Sequence, residues 1–529
     1  MAWNLICPDR DQVMLLPVDV REWLPEDDLV WHVLDVVGQL DLASFYERYR
    51  INGQGAAAYD PAMMVSLLVY AHAVGVKSSR SIERACTRDA GFKVAAGMLV
   101  PDHSTITRFL KAHQDAVTGL FAQVLRLCHA AGMLRLGVIA VDGTKIAANA
   151  SWAKSYTDAA LEYQVAEAQG LLEAEQAAFE RAAAGMVAEQ LAVDEAEDRE
   201  HGPEGGGRGD DLPPGLRRRR ERLEKLKAAR ADLAARDEGA RARMRAAQKA
   251  KQEVYDAKTA AGQRPAGPRP KDEIKVGHAA RARRGGKDAP APRASVVDVD
   301  SRRMKAKHGF VQGYNAQVAV TTGQVVLAAV VSQEPTDHHQ LPAVLQQVRV
   351  DLSRAGISTH PGPDTTTDPD TTDLDTTDPD TAADREADLE AELVRQSRCE
   401  HDLGVVLADA GYANEDTFTA VHRQGLSLLA PLASDEKRAR GDDLDAGQDL
   451  SERPQTARAQ QRLQTPTGKA LYKLRGQTVE PAIGQLKDRL GIRQFSRRGL
   501  PAVQAEFSLA CTVHNIRKLF TWNTSPATA

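Results

Sequence analysis

The stretch Leu136-Gly-Val-Ile-Ala-Val-Asp142-Gly-Thr-Lys145 combines an apolar run with an aspartate that directly follows it. Short apolar runs rich in Val and Ile are typical of buried strands. A second run of this kind, Val405-Val-Leu-Ala408, is followed by Asp409. These two runs predict two core strands, each of which ends on a carboxylate.

A third carboxylate is Glu480, in the segment Tyr472-Lys-Leu-Arg475-Gly-Gln-Thr-Val-Glu480-Pro-Ala-Ile-Gly-Gln-Leu-Lys487. Pro481 predicts a helix start near Thr478, and Lys487 would then lie two turns after Glu480 on the same face. Two strand-end aspartates and a helical glutamate can hold two divalent cations about 4 Å apart. One cation would activate a water or hydroxyl and the other would stabilise the leaving oxygen, as in nucleases and strand transferases.

Each of the three acids also has a plain structural interpretation. Asp142 before a glycine is a common turn residue, Asp409 could cap a helix, and Glu480 would be a first-turn acid stabilised by the helix dipole. Three acids in this order, each after the expected type of element, favour catalysis. We therefore expect their carboxylates to converge within about 8 Å, because two cations must be shared among them.

Several motifs resemble those of the DDE transposases of bacterial insertion sequences, most closely the 1182-type relatives of the insertion-sequence 4 and 5 groups. The block around Glu480 resembles the tyrosine, arginine, glutamate, lysine signature of that group, although four residues separate Arg475 from Glu480 where the usual pattern has three. The other segments that carry the resemblance are Pro17–Tyr49, Pro101–Phe109, Asp300–Lys305 and Gly309–Gln317.

The resemblance implies an α/β ribonuclease-H-like catalytic core, a mixed sheet with helices on both faces, after an all-helical N-terminal domain that binds DNA. It implies that Asp142, Asp409 and Glu480 are catalytic and hold two Mg²⁺ ions, with Mn²⁺ as a substitute. The DNA-binding residues that we expect are Lys487, Tyr472, Arg475, Arg108, Lys111 and Arg80.

The order of the remaining predicted elements suits the same core. Phe310–Val320 and Gln324–Val331 should form a strand hairpin. A helix should follow at about His339–Ser353, capped by Thr336 or Asp337. After it we predict strand 404–408, helix 414–424, strand 426–430, a polar loop 433–466, and helices at Thr478–Leu490 and Pro501–Phe520. Without its insertions the chain has the order β-β-β-α-β-α-β-α.

The chain therefore divides into several predicted segments. In order they are a helical N-terminal DNA-binding domain (1–134), the first part of the catalytic core (135–154), an inserted helical hairpin (155–260), a basic flexible linker (261–295), core strands and a helix (296–355), an acidic low-complexity loop (356–398), the core with the second aspartate and the glutamate helix (399–522), and a tail (523–529).

The N-terminal segment shows helical apolar spacing, with Asp60 as a predicted cap and Pro61 in a first turn. Two short helices before a third one, capped at Asp102 or Ser104, are typical of a helix-turn-helix. Spacing alone favours a plain helical bundle, and the resemblance is what favours DNA binding. His514-Asn515 near the C-terminus matches a family motif, and we expect buried hydrogen bonding there.

The inserted hairpin shows apolar residues at alternating spacings of four and three, with a Gly/Pro-rich turn at His201–Gly215. A solvated structural arm, a DNA contact and a dimerisation surface are all compatible with this pattern. The repeated Asp-Thr-Thr-Asp-Pro-Asp between 364 and 380 cannot bury a core, which predicts disorder.

Charge is strongly segregated, although the net charge of the 529 residues is only −5. Asp364–Glu392 carries twelve acidic residues and one basic residue. Arg217–Lys251 carries fourteen basic and five acidic residues, and Thr467–Phe520 carries ten basic and three acidic residues. Because screening limits a polyanion to nearby charges, these basic segments make DNA a plausible partner despite the negative total.

Other sequence features exclude several classes of protein. The five cysteines are far apart and form no Cys-x-x-Cys, which indicates reduced thiols rather than disulfides or a zinc site. No apolar stretch approaches the ~20 residues of a membrane helix, and the N-terminus lacks signal-peptide features. We expect a cytoplasmic protein of a bacterial cell, associated with the nucleoid and not with a membrane.

Together these features predict an insertion-sequence transposase. It would bind terminal inverted repeats, cut DNA by metal-dependent attack of water, join the 3′-hydroxyl ends to target DNA, and act as a homodimer on DNA. One alternative is a catalytically decayed transposase that acts only as a DNA-binding or scaffold protein. Another is a housekeeping metal-dependent nuclease, which would need neither the helical domain nor two bound ends.

Overall fold

The structure is a computed structural model. It describes residues 5–6, 19–49, 57–197, 214–262, 268–270, 293–306, 309–359, 382–399, 402–432, 450 and 453–524. The chain divides into two compact units. We call Met1–Asn149 with Arg302–Ala529 the main unit, and Ala150–Ser301 the inserted unit.

The described strands and helices alternate along both units. The strands are β1 (Leu5–Ile6), β2 (Ala58–Tyr59), β3 (Val138–Ala147), β4 (Ser155–Tyr156), β5 (Ala294–Ser295), β6 (Arg302–Ala306), β7 (Gly309–Thr321), β8 (Val326–Ser332), β9 (Val405–Leu407) and β10 (Ser427–Leu429). The helices are α1 (Leu29–Gly38), α2 (Ala43–Tyr46), α3 (Pro61–Ala73), α4 (Ser79–Arg88), α5 (Ala90–Ala95), α6 (His103–Ala112), α7 (Gln114–Ala130), α8 (Asp158–Glu197), α9 (Pro214–Ala260), α10 (Leu341–Arg354), α11 (Ala382–Ser397), α12 (Glu415–His422), α13 (Pro454–Gln464), α14 (Pro466–Gly484) and α15 (Leu500–Thr524).

The N-terminal part of the main unit is helical apart from the short parallel pair β1–β2. Helix α3 forms its centre, with twelve of thirteen residues buried. Asp60 caps α3 by accepting from the Met63 N–H, and Pro61 lies in the first turn, which confirms both predictions. Asp102 caps α6 by accepting from the N–H groups of Ser104 and Thr105, so the two short helices α4 and α5 do precede a capped third one.

The core of the main unit is a mixed sheet with the strand order β10-β9-β3-β7, and β6 and β8 both pair with the other edge of β7. β3, β9 and β10 are parallel, whereas β7 is antiparallel to β3 and β8 is antiparallel to β7. The predicted hairpin of β7 and β8 is therefore confirmed. The sheet and the helical N-terminal part agree with the coarse fold expected from the sequence.

Helix α15 joins the helical part to the sheet, because it packs against α3, α7 and β8. Asn515, fully buried on α15, accepts from the Val326 N–H at 2.9 Å and donates to the Val326 carbonyl at 2.8 Å. The neighbouring His514 bonds the Gln324 carbonyl through Nε2 at 2.9 Å. The expectation of buried hydrogen bonding at His514-Asn515 is confirmed.

Strand β3 is longer than its apolar run predicts. It continues past Val141 to Ala147, and its ladder with β7 runs from Ile139↔Thr321 to Ala147↔Gly313. Asp142 therefore lies in the middle of β3 rather than at its end. The prediction was wrong because backbone pairing with β7, which apolar spacing does not report, continues through the polar half of the strand.

Helix α14 is also longer than predicted. Pro481 lies inside it, not in its first turn, and Thr465 caps the true start by accepting from the Gly468 N–H at 3.0 Å. Tyr472 and Arg475 therefore share one helix with Glu480, contrary to the prediction. A second proline, Pro466, occupies the first turn and is the one with the start role that we assigned to Pro481.

Two predicted loops contain helices. The segment 433–466 includes α13, and 356–398 includes α11. An ion pair joins the two helices. Oε2 of Glu392 on α11 lies 2.5 Å from Nη2 of the buried Arg462 on α13. Buried apolar residues such as Leu393 compensate for the acidic composition of α11. The Asp-Thr-Thr repeat of 364–380 lies outside the described residues.

The inserted unit is built on α8 and α9. Arg219 pairs with Glu175, and Arg230 pairs with Asp158 at 3.3 Å and Glu162 at 3.0 Å, so the two helices run antiparallel. Their shared apolar seam consists of Leu161, Val165, Leu223, Leu226, Ala229 and Leu233 with Ala294. The predicted turn at His201–Gly215 and the linker 261–295 fall largely outside the described residues.

The described cysteines Cys86, Cys128, Cys399 and Cys511 are free thiols. Within the described segments, no helix combines the length and apolarity that a membrane crossing requires.

Candidate active site

Asp142 lies within strand β3, and Asp409 follows the end of the neighbouring strand β9. β3 and β9 are parallel, and Ala140 pairs with Leu407. Asp142 and Asp409 each follow this pair by two residues along their own segment. Adjacent strands are separated by about 4.8 Å. Asp409 also caps a short 3-10 turn, where its Oδ1 accepts from the Gly411 N–H at 2.9 Å.

Helix α14 brings Arg475 and Glu480 to Asp142. Nη2 of Arg475 donates to Asp142 Oδ2 at 3.0 Å, and Nη1 lies 3.7 Å from Glu480 Oε1. The side chains of Arg475 and Asp142 are 15% and 17% exposed, whereas that of Glu480 is 65% exposed. Arg475, which we expected to bind DNA phosphate, thus spans two of the candidate catalytic acids. Tyr472 lies on the same helix and is half-buried.

Burial raises the pKa of Asp142 to about 6. The guanidinium of Arg475 lowers this pKa, the charge of Asp409 raises it, the hydrogen bond from the Gly143 N–H lowers it, and the charge of Asp337 raises it. Two further carboxylates therefore act on Asp142 electrostatically. A buried, electron-rich site of this kind favours a bound cation.

Asp337 was missed as a site residue, because we expected it to cap a helix. Its Oδ1 accepts from Lys145 Nζ at 3.0 Å, from Asn315 Nδ2 at 2.8 Å and from Gln317 Nε2 at 2.7 Å. The N-cap of α10 is instead Gln340, which makes no side-chain capping bond. The available signal was Asn315 and Gln317, two polar residues on one face of an otherwise apolar strand.

The Asp337 cluster supports β3 from the face opposite to the Asp142 side chain. Side chains alternate along a strand, so Gly143 and Lys145 face away from Asp142. A Cβ on Gly143 would lie 2.6 Å from Asp337 Oδ1 and 2.2 Å from Gln317 Nε2. Only glycine lets this cluster approach the strand so closely.

Tyr412 extends the cluster toward Asp409. Its buried hydroxyl donates to Gln317 Oε1. Burial, followed by the charges of Asp337, Asp142 and Asp409, raises the pKa of Tyr412 well above its usual value. The phenol therefore stays protonated as a donor and can hold the side-chain amide of Gln317 in one orientation.

Lys487 lies in a π-helical segment, Gln485–Arg489, that continues α14. The π turn changes the rotation between Glu480 and Lys487 from that of a regular α-helix, and their position on one face stays a prediction. Burial and Arg493 lower the pKa of Lys487, while the charges of Asp142 and Asp488 raise it. Lys487 thus experiences the charge of Asp142.

A group of cations surrounds the end of this segment. Arg517 donates to the Ala73 carbonyl at 2.5 Å, and Lys518 donates to Gln324 Oε1 at 2.6 Å. Burial, and then the charge of Arg489, lowers the pKa of both Arg517 and Lys518. Three mutually repelling cations so close together favour binding of an anion such as a phosphate.

The N-terminal candidates Arg80, Arg108 and Lys111 are exposed on α4 and α6. The hydroxyl of Thr107, next to Arg108, donates to Ser79 Oγ, next to Arg80, at 3.3 Å. This contact places Arg80 and Arg108 on neighbouring parts of one surface. Arg108 donates to the hydroxyls of Ser104 and Thr105 on its own helix.

Asp142, Asp409 and Glu480 are the expected metal ligands. Within the described part of the chain, no three His, Cys, Asp or Glu side chains are grouped closely enough to hold an ion. The donor chemistry nevertheless fits a hard divalent cation, because carboxylate oxygens are its preferred ligands. Arg475 supplies the positive charge between Asp142 and Glu480, and its buried Nε has no hydrogen-bond partner among the described residues.

Comparison with known families gives two matches. Residues 18–112 match the family model of a transposase domain (DUF772), and residues 437–520 match that of a transposase DDE domain. Both matched families are transposase families. Searches of curated proteins and of solved structures find no match.

The matches support an insertion-sequence DDE transposase, and the DDE domain implies a ribonuclease-H-like core. The first transposase match contains α1 to α6, with Arg80, Arg108 and Lys111. The second contains Arg475, Glu480 and Lys487 but neither Asp142 nor Asp409. Transposases act on DNA, and DDE families generally use divalent metal ions.

Proposed function

We propose that this protein is a 1182-type insertion-sequence transposase that binds terminal inverted repeats, cleaves DNA and joins the free 3′-hydroxyl ends to target DNA. One observation carries the proposal. Arg475 spans Asp142 and Glu480, at 3.0 and 3.7 Å, and Asp409, which follows the strand next to β3, acts electrostatically on Asp142. In this proposal the three acids, which are distant in sequence, form one site next to a transposase DDE match.

Asp142, Asp409 and Glu480 hold the metal ions in this proposal. Bound Mg²⁺, or Mn²⁺ in its place, supplies an activated water and a stabilised leaving oxygen. Glu480 is exposed enough to reorient toward an ion, whereas Asp142 is held in place by the Gly143 N–H.

The cations around the acids would bind the DNA. Lys487 and Arg475 contact phosphates beside the cleavage site, and Tyr472 packs on the DNA end. Arg80, Arg108 and Lys111 contact the terminal repeat. A homodimer on DNA follows from the need to process both ends of the element together.

Glu480→Gln tests the catalytic role, because it preserves size and removes the charge that a metal ligand needs. The variant should bind terminal-repeat DNA like the parent and lose cleavage by several orders of magnitude. Gel-shift and Mg²⁺-dependent cleavage assays on a repeat with flanking DNA measure both properties. Asp488→Asn is the matched control, since Asp488 is a nearby acid that is 66% exposed and paired with Arg493.

Full cleavage by Glu480→Gln would contradict the three-acid site. An inactive parent that still shifts repeat DNA would favour the decayed transposase acting as a scaffold. Lys487→Ala should weaken both binding and cleavage while leaving residual activity, because it removes a phosphate contact and no metal ligand.

A further inference from the structure

The two long helices of the inserted unit carry opposite charge. α8 has ten acidic residues and one basic residue, whereas α9 has fifteen basic and seven acidic residues. Part of this charge is neutralised inside the hairpin, where Arg219 pairs with Glu175 and Arg230 pairs with Asp158 and Glu162. The basic segment noted in the sequence is therefore not uniformly available to a ligand.

A cleft of about 340 Å³ in the inserted unit is lined by cations that take no part in this pairing. Arg218, Arg222 and Lys225 line it from α9, and Lys154 lines it from the segment before β4. None of these four side chains forms an ion pair with a described carboxylate. The remaining lining residues are Tyr156, Gln164, Glu221, Leu226 and Val296. We call this feature the basic cleft.

The placement of the charges distinguishes the basic cleft from an ordinary solvated helix. Arg218, Arg222 and Lys225 follow spacings of four and three, which puts them on one face of α9. Like charges at such spacings repel each other and destabilise an isolated helix. Lys154 adds a fourth cation from another part of the chain, with Glu221 as the one lining acid.

A second concave surface continues the basic cleft along the same helix. It shares Glu221 and Lys225 with the cleft and adds the cations Arg217 and Arg220 and the acid Glu224. Positive charge thus extends along the start of α9 over more than one phosphate-sized site. Several cations spread over two adjoining concave surfaces match a polyanion better than a single small anion.

We propose that the basic cleft binds the phosphodiester backbone of DNA without reading its sequence. Arg218, Arg222, Lys225 and Lys154 contact phosphates, and the Tyr156 hydroxyl is placed to donate to one of them. The choice of DNA among polyanions rests on the proposed transposase function. The cleft itself rests on the inserted unit alone and needs neither the three acids nor a metal.

The test measures binding of the full-length protein to a random-sequence duplex without terminal repeats, in the absence of divalent metal. Arg218→Gln/Arg222→Gln/Lys225→Gln removes three cations from the cleft. Arg241→Gln/Arg243→Gln/Arg245→Gln removes three exposed cations from the same helix outside it. Fluorescence anisotropy at several salt concentrations gives the slope of log K against log salt for each protein.

We expect the cleft variant to lower the slope by about 0.9 for each lost contact and to weaken binding on the order of 10-fold or more at low salt. The control variant should change little, although its net charge is the same. Equal losses in both variants, or no loss in the cleft variant, would overturn the proposal. Lys154→Gln, outside α9, should lower the slope by about 0.9 and guards against a folding defect in α9.

Two further results separate the alternatives. If polyglutamate of equal charge displaces the parent from the duplex as well as unlabelled DNA does, the cleft is a site for acidic protein and the DNA assignment is wrong. A parent that binds random duplex through the cleft but never cleaves terminal-repeat DNA would contradict the proposed function and leave this inference standing.

Discussion

At the scale of single residues, Asp142 is a buried carboxylate whose ionised form is costly in the metal-free protein. Its pKa of about 6 lies above the ordinary value of 3.8, so the folded state binds a proton more tightly than the unfolded state. Stability therefore falls as pH rises from about 4 to about 6 and then levels off. Nearby Arg475 reduces this cost without removing it.

Asp142→Asn removes the titrating group and should stabilise the metal-free protein relative to the parent as pH rises. The unfolding free energy of the variant minus that of the parent should rise by roughly 1–3 kcal/mol between pH 4 and pH 8. Urea unfolding at several pH values measures it. A difference that does not change with pH would contradict the buried ionised carboxylate.

Asp337 accepts hydrogen bonds from the side chains that lie on the face of β3 opposite to Asp142. Asp337→Asn removes the charge that pairs with Lys145 and places amide hydrogens against the donors of Asn315 and Gln317. The donors of the buried residues Asn315 and Gln317 lose an acceptor, so the free energy of unfolding should fall by about 1–3 kcal/mol. Glu334→Gln, an exposed acid in the same loop, is the control for urea unfolding and should be nearly neutral. Equal stability of the Asp337 variant and the parent would show that the cluster contributes nothing.

At the scale of elements, helix α15 provides hydrogen-bond partners for the backbone at the start of β8, as a neighbouring strand would. Asn515 satisfies both the N–H and the carbonyl of Val326, which are buried. Asn515→Ala should lower the free energy of unfolding by about 2–4 kcal/mol, since two buried backbone groups lose their partner. Thr512→Val is the matched control, because the buried Thr512 hydroxyl bonds only the Ser508 carbonyl of its own helix. Similar losses in the two variants would indicate a general packing effect instead.

Elements also show where local sequence signals mislead. Pro481 resembles a helix start, yet α14 begins fifteen residues earlier at Pro466, and the capping contact of Thr465 decides between the two prolines. Packing of α14 on β3 and β7 compensates for the hydrogen bond that an internal proline cannot make. Glu480 and Arg475 share a helix for this reason.

At the scale of the whole molecule, the two sheet residues that border the inserted unit in sequence lie close together. Ala147 of β3 and Arg302 of β6 both pair with Gly313, on opposite edges of β7. The two ends are thus separated by about two strand spacings, or ~10 Å. A linker of four to six residues, at about 3.3 Å each, spans this distance.

Replacing residues 150–301 with a Gly/Ser linker of about six residues should therefore leave the main unit folded. We expect a cooperative thermal transition within a few degrees of the parent's main-unit transition, measured by circular dichroism or calorimetry. The shortened protein should also show the reduced salt slope on random duplex DNA that the cleft variant shows. Loss of cooperative unfolding would contradict the independence of the main unit.

The local features of this protein follow from patterns in its amino-acid sequence. Apolar runs located β3, β7, β8, β9 and β10, because burial of a strand imposes a pattern on neighbouring residues. Caps such as Asp60 and Asp102 marked helix starts, since their hydrogen bonds are made within three residues. The three acids were identified by their positions after such elements, although their catalytic role is still a prediction.

How these features meet depends on contacts between residues that are far apart in the sequence. Asp142 and Arg475 are 333 residues apart, and Lys145 and Asp337 are 192 apart, so no local pattern could predict either pair. The same holds for the basic cleft, where Lys154 joins α9 across the hairpin. Polar contacts of this kind depend on which faces the packed helices and strands present to each other, and this is set by burial of the apolar core as a whole.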